Sequence, residues 1–406
     1  MRYIKINAIL LYIVAFILVY ESGTLPSIIS IKDMYIDKIL LFFFMGLAAV
    51  SALQKIKNIN ILAFWSILFI VFIVLNSFVC LRTTPNLIYR LLLFLLIYLV
   101  LLFADQCGID FDEFICSTIV FLAVVSLTIY VATHVLNISI PYSYFYLKKD
   151  GIRYISYASL YFEQGFVNQQ FGLSLYRMTG PFWEPGVYQI FLNYALYKYA
   201  FKENVSKFIP IVLVVDLFLT MSAAGWLCTI GIIVLRLSSS KRMTRKSKIL
   251  ISMLLITVGV VAASFVISAK FSETYANKSS AYIRINDFLL AAELFVENPI
   301  CGTGFNNTKP FELRNVYNTT AYLGSSNGLM TIAYSTGIIG LVFVLLPFII
   351  HISRTHKYDK CQSVFYVCMI LFFNFVEPVY YFPFMLYVLA KEYHLMLKNK
   401  IKPPNT

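Results

Sequence analysis

The chain has 406 residues, of which 60% are hydrophobic and only 13% charged, where a soluble globular protein carries about 25% charged residues. With mean hydropathy +0.77, spread over the whole length, composition excludes a soluble enzyme, a DNA-binding protein and a soluble domain on a single anchor. An outer-membrane barrel is excluded too, because its strands would alternate in segments of about ten residues. The formal net charge of +13 fits cytoplasmic loops, which collect Lys and Arg, better than a nucleic-acid surface.

At about 20 residues per crossing the sequence reads as an all-α polytopic membrane protein, one integral membrane domain over 1–406. Arg2 and Lys5 precede an apolar run to Tyr20, and no small-x-small cleavage site follows in Glu21-Ser22-Gly23-Thr24, which predicts a retained first helix. Apolar runs fall near 6–21, 36–53, 59–80, 87–104, 115–135, 186–201, 208–221, 222–237, 249–268, 328–350, 362–376 and 379–396, about twelve transmembrane helices. Lys55 and Lys57, Lys198, Lys202 and Lys207, the cluster from Lys241 to Lys248, Arg354, Lys357 and Lys360, and the tail with Lys398, Lys400 and Lys402 mark one side. That side is the cytoplasm, with both termini in it. The run 208–237 is long for one crossing, and Thr220-Met221-Ser222-Ala223-Ala224-Gly225 is its natural break. A single tilted helix there is the alternative, and it would put the most basic loop outside.

Two long loops remain on the outer face, 136–185 and 269–327. Loops of this length are usually functional. The first carries Phe166, Phe171, Tyr176, Phe182 and Trp183 and is expected to fold back on the membrane surface. No internal repeat of the inverted-transporter kind is evident.

Where the first loop re-enters the membrane stands Arg177-Met178-Thr179-Gly180-Pro181-Phe182-Trp183-Glu184-Pro185-Gly186. Pro185 suits the first turn of a helix, which puts Glu184 at its N-terminal end, where the dipole favours negative charge. The plainer reading is a helix cap, a snorkelling arginine and an aromatic belt. The second loop contains Arg284-Ile285-Asn286-Asp287, then a short amphipathic helix over 288–295, then Asn298-Pro299-Ile300-Cys301-Gly302-Thr303-Gly304-Phe305. Gly302 and Gly304 predict a turn whose N–H groups cradle an anion, and Arg284 and Asp287 have the spacing of a helical ion pair. Ser325-Ser326-Asn327-Gly328 opens the span near 328–350, which contains Gly337-Ile338-Ile339-Gly340.

Other signals have plainer readings. Asp110-Phe111-Asp112-Glu113 contains an Asp-x-Asp of the metal–nucleotide kind, but charge at a helix start explains it. Asp216, inside an apolar run, is either functional or paired within the bundle. Glu377 lies in the outer turn between the last two spans. His351, His356 and His394 read as solvated cytoplasmic residues, and the triplets at Asn277, Asn306 and Asn318 as chance. Seven cysteines without a C-x-x-C pair and four histidines without ligand spacing predict no metal and no cofactor.

The Arg-x-x-Gly with Glu-Pro-Gly before a span, the Asn-Pro-x-x-Gly-x-Gly-Phe, and Asn327 ahead of Gly337-Ile338-Ile339-Gly340 together resemble the Wzy-type O-antigen polymerase and O-antigen ligase superfamily. The resemblance covers roughly 170–345 and the layout of two large periplasmic loops. Many relatives carry Ser-Arg-Gly where this chain has Ser222-Ala223-Ala224-Gly225. Ligases carry His where this chain has Ser326, which favours polymerase.

The resemblance implies a GT-C-like architecture in the bacterial inner membrane. It also implies metal-independent transfer of a growing glycan from undecaprenyl pyrophosphate to the next lipid-linked repeat, in lipopolysaccharide or other surface polysaccharide biosynthesis. Arg177 and Arg284 would hold pyrophosphate by bidentate contacts, and Glu184 would take the hydroxyl proton. Gly180, Trp183, Asp287, Gly302, Gly304 and Asn327 would bind substrate. A chain-length regulator membrane protein is a further expected partner. The alternatives are an O-antigen ligase, or a lipid-linked oligosaccharide flippase, whose charges would be spread along the spans.

Overall fold

A computed structural model describes residues 2–29, 36–54, 59–80, 85–147, 152–164, 167–170, 173–239, 280–315, 325–355 and 360–401, with scattered positions between 244 and 257. Outside the described residues lie most of the run near 249–268, Lys55, Lys57, Lys241, Arg242, Arg245, Lys248, Lys357, Lys402, Phe166, Phe171, His356, Asn277 and Asn318.

The described chain is mostly helical, as bilayer physics requires of apolar segments that must satisfy their own backbone. The helices are α1 (Arg2–Tyr20), α2 (Leu25–Ile29), α3 (Ile36–Leu53), α4 (Ile59–Cys80), α5 (Pro85–Gln106), α6 (Phe111–Tyr130), α7 (Pro185–Ala200), α8 (Phe208–Leu219) and α9 (Ala223–Ser239). They continue with α10 (Ser280–Glu297), α11 (Lys309–Arg314), α12 (Gly328–Arg354), α13 (Lys360–Val376) and α14 (Pro383–Ile401). By length and composition Asn86–Gln106, Phe111–Val135 and Gly328–Arg354 suffice to cross a membrane, and shorter apolar helices such as Ile6–Tyr20, Phe208–Leu219 and Ala223–Ser239 accompany them. The run 208–237 breaks where its polar, small residues stand: α8 ends at Leu219, Met221 takes a positive φ of 49°, and α9 starts at Ala223.

The first long loop is not a simple flap on the membrane. A π-turn, Val131–Val135, extends α6. Then β1 (Ser143–Leu147), β2 (Ile152–Tyr157) and β3 (Tyr161–Gln164) form an antiparallel sheet in that order, and β4 (Val167–Gln170) pairs with β5 (Leu173–Tyr176). Register runs through Phe145–Tyr154 and Ile155–Glu163. The strands are rich in Tyr, Phe and Ile, residues that favour a pleated surface.

The chain divides into two compact units. The first holds 1–22, 36–111 and 277–406. In it α5 packs on α3, α4 and α14, while α12 packs on α10, α13 and α14. Trp65 anchors its core, with Tyr393 edge-on at 4.9 Å and Phe94 at 5.2 Å between ring centroids. The second unit holds 23–35 and 112–276. Its central helix is α7, buried at every position from Pro185 to Leu196 and packed on α8 and α9. Polar side chains join these helices, as is usual where no hydrophobic drive separates helix from lipid. Asn193 donates to Gln189 Oε1 at 3.1 Å and to the Gly225 carbonyl at 3.2 Å, and accepts from Thr229 at 3.0 Å.

Candidate functional site

The second loop is more ordered than a short interfacial helix over 288–295 would be. α10 runs from Ser280 to Glu297, and Leu290, Ala291 and Leu294 pack with Phe311 and Tyr334. Arg284 therefore stands on the helix rather than before it. Its guanidinium donates to the Val376 carbonyl at the C-terminal end of α13, and Nη2 meets Glu377 Oε1 at 3.1 Å. Exposed carbonyls at a helix C-terminus welcome a cation. From the other side Arg90 of α5 donates to the Tyr381 carbonyl and lies over the Tyr89 and Tyr381 rings at 5.2 and 5.9 Å. Two arginines thus clasp the turn between α13 and α14. Beside it lies an apolar cavity of about 100 Å³, bordered by Leu87, Arg90, Phe305, Asn374, Tyr380 and Tyr381.

The plainer alternative for Arg284, an ion pair with Asp287, is not formed; the guanidinium pairs with Glu377 instead. Asp287 is buried and turns elsewhere: Oδ2 accepts from Ser326 N at 2.9 Å and Oδ1 from Asn315 Nδ2 at 3.3 Å. Its place is to hold the 325–327 turn. Asn327 is the N-cap of α12, its side chain accepting from Met330 N at 3.0 Å.

The anion cradle expected at Gly302 and Gly304 is not formed. Gly302 N donates to Asn298 O at 3.0 Å, Thr303 N to Tyr334 O at 2.8 Å, and Gly304 N to Ser335 O at 3.0 Å. The Thr303 and Gly304 donors are taken by a break in α12 at Gly337, which adopts φ 64°, ψ −160°. The broken turn leaves carbonyls without intrahelical partners, and the 298–304 segment supplies them; in return Ile338 N donates to Pro299 O at 2.8 Å. A Cβ on Gly302 would sit 2.4 Å from Ser335 C, and one on Gly337 2.2 Å from Ile300 O. Both positions need glycine.

In the second unit Arg177 follows β5. Its Nε donates to Thr220 O at 3.2 Å, and Met178 N to Leu219 O at 3.0 Å, so the segment caps the C-terminal end of α8. Gly180 O accepts from Phe162 N at 2.9 Å. Phe182 bridges Thr24, and Trp183 N donates to Gly23 O at 3.3 Å and packs on Leu25, Tyr154 and Phe162. Glu184 is the N-cap residue of α7 with Pro185 in its first turn, as the sequence predicts, and its side chain makes no capping bond.

A pair missed in the sequence lies at the C-terminal end of α6. His134 of the π-turn meets Glu163 of β3, Nε2 to Oε1, at 2.6 Å. Glu163 is buried, the ring stacks on Tyr176 at 4.2 Å, and Tyr130 OH donates to Tyr176 O at 3.2 Å. Burial, then the charge of Glu163, pushes Tyr157 up to about 12 and Tyr161 well above its ordinary value. The Asp150-Gly151 dipeptide between β1 and β2 was the signal for the sheet, but no local pattern links His134 to Glu163.

The remaining candidates have structural partners. Asp112 pairs with Lys198 at 2.8 Å and accepts from Tyr194, while Glu113 meets Lys202 at 2.7 Å, so the Asp-x-Asp is tied to α7. Asp216 is buried and accepts from Tyr188 at 2.7 Å. His351 and His394 are not simply solvated: they meet Glu392 and Asp105, each at 2.8 Å. No metal-holding cluster of His, Cys, Asp and Glu occurs among the described residues.

Apolar helices of this number and packing, with charge gathered in loops and turns, define a helical membrane protein. Residues 208–345, from α8 into α12, match the family described as O-Antigen ligase. That match supports the superfamily of O-antigen ligases and polymerases without choosing between them. No curated protein matches the chain.

Proposed function

We propose that the protein is a surface-polysaccharide polymerase of about twelve spans and GT-C-like architecture in the bacterial inner membrane. It transfers a growing glycan from undecaprenyl pyrophosphate to the next lipid-linked repeat on the periplasmic side. The observation that carries transfer over transport is the match across 208–345, within which Arg284 stands on an ordered helix of the outer loop. Ser326, where ligases carry His, favours polymerase over ligase. The leaving pyrophosphate needs fixed cations, and arginine suits its oxygens; Arg284 and Arg177 are the proposed contacts, with Glu184 the carboxylate candidate for base. Stabilising the departing charge is the larger contribution to rate. The cavity beside Arg90 suits an apolar lipid segment. Asp287, Asn327, Gly302 and Gly304 shape the site rather than bind substrate.

The ligase reading is favoured by the matched family, that of O-antigen ligases. Deletion in the native strain separates the two by gel analysis of the surface glycan. Polymerase loss leaves single repeats on lipid A core, ligase loss leaves polymer on undecaprenyl pyrophosphate, and flippase loss removes both.

A further inference from the structure

Five observations converge on the C-terminal end of α6 in the second unit. The helix ends in a π-turn, a feature frequent at functional sites. It carries His134, bound through Nε2 to Glu163 at 2.6 Å. Glu163 is buried on the sheet, its side chain 4% exposed against 17% for His134. The carboxylate thus cannot meet a solute itself, while the imidazole can. Nδ1 of His134 has no hydrogen-bond partner among the described residues. Finally, the ring stacks on Tyr176, the residue before Arg177.

A base held by a buried carboxylate, with its second nitrogen left open, is the arrangement that activates hydroxyl groups. When the carboxylate accepts from Nε2–H, the lone pair falls on Nδ1. A solvated carboxylate is a weak base, whereas imidazole exchanges a proton near neutral pH.

We propose that His134, oriented by Glu163, is the group that takes the proton from the acceptor sugar hydroxyl. The inference rests on the glycan-transfer reading above and replaces Glu184 in that role. In the step, the hydroxyl proton passes to Nδ1 as the hydroxyl oxygen bonds to C1 of the donor glycan. The bond from C1 to the pyrophosphate oxygen breaks, and its electron pair leaves with undecaprenyl pyrophosphate. Glu163 is a positioning residue. The rings packed against His134 are the phenols of Tyr130 and Tyr176, and Glu163 is the charged group that meets it.

The test uses the full chain in proteoliposomes supplied with a lipid-linked repeat unit, with rates followed from pH 5 to 9. His134→Gln lowers kcat by about 100-fold or more with KM for the lipid-linked unit little changed. Glu163→Gln keeps a hydrogen-bonding group but removes the charge that favours a protonated ring, so the acid limb of the profile moves to lower pH. Purified protein melting as wild type shows that the variants fold, and His134→Asn provides a second variant if the first does not. A wild-type rate and profile in His134→Gln, or a limb lost in Glu184→Gln instead, overturns the proposal and leaves the transfer reading standing. No transfer by the wild-type protein overturns both.

Discussion

Glu377 is the partner of Arg284, 93 residues away in sequence, at 3.1 Å and with its carboxylate nearly buried in the turn after α13. Removing one member of a fully buried pair costs about 3–5 kcal/mol; here the loss lies below that range, because the Arg284 side chain is 37% exposed. Arg284→Ala is therefore expected to lower both thermal stability and glycan transfer. The double variant Arg284→Ala with Glu377→Gln also removes the carboxylate charge that faced the guanidinium and recovers most of the stability. Transfer stays down by about 100–1000-fold if the guanidinium also faces pyrophosphate. Full recovery of polymer in the double variant would reduce Arg284 to a structural clasp.

The contact between the 298–304 segment and the break in α12 depends on two glycines. Gly337→Ala puts a Cβ on a backbone of φ 64°, ψ −160° that is used essentially by glycine alone, at about 1–3 kcal/mol, and drives that Cβ into the Ile300 carbonyl 2.2 Å away. A lower melting temperature in detergent and loss of polymer are expected. Gly46→Ala serves as control, since a Cβ there meets nothing within 4 Å. Equal melting temperatures for the two variants would contradict the account of the knuckle.

The helices were legible because a bilayer leaves apolar segments one solution: the runs at 87–104 and 328–350 became α5 and α12 with ends moved by a few residues. The break at Thr220-Met221-Ser222 was legible for the same reason, since polar, small residues interrupt a crossing. The sheet was not read, although Asp150-Gly151 between Tyr- and Ile-rich stretches is a local signal for a hairpin. The partners of Arg284, Asp287 and His134 could not be read at all. Each is fixed by tertiary packing over 28 residues or more, and the nearest opposite charge in sequence misled for Arg284. The anion cradle failed because N–H groups in a glycine turn serve whichever acceptors the fold presents, here the Asn298 carbonyl for Gly302 and the Ser335 carbonyl of α12 for Gly304.

Arg177 caps α8 through Nε, a contact that any long donor side chain can partly replace. Arg177→Ala is expected to abolish polymer while protein remains in the membrane, and Arg177→Lys to restore only part of it, because the planar fork is lost. Blotting of membranes beside gel analysis of glycan checks this. Wild-type chain length from Arg177→Ala would leave the residue as a helix cap and interfacial anchor.

Topology is open to a direct check with reporter fusions. A fusion after Ser240 is expected to be cytoplasmic, since it follows α9 and enters the most basic stretch, and one after Asn306 periplasmic. A periplasmic signal at Ser240 would mean that α8 and α9 make one crossing between them, and the twelve-span account would fail.

Reconstitution tests the central claim most directly. The purified protein is placed in liposomes with a lipid-linked repeat unit and no lipid A core, and products are resolved by gel. The account predicts a ladder of longer lipid-linked glycans with one undecaprenyl pyrophosphate released for each repeat added. Absence of a ladder, with transfer appearing only when lipid A core is supplied, would contradict it and make the protein a ligase.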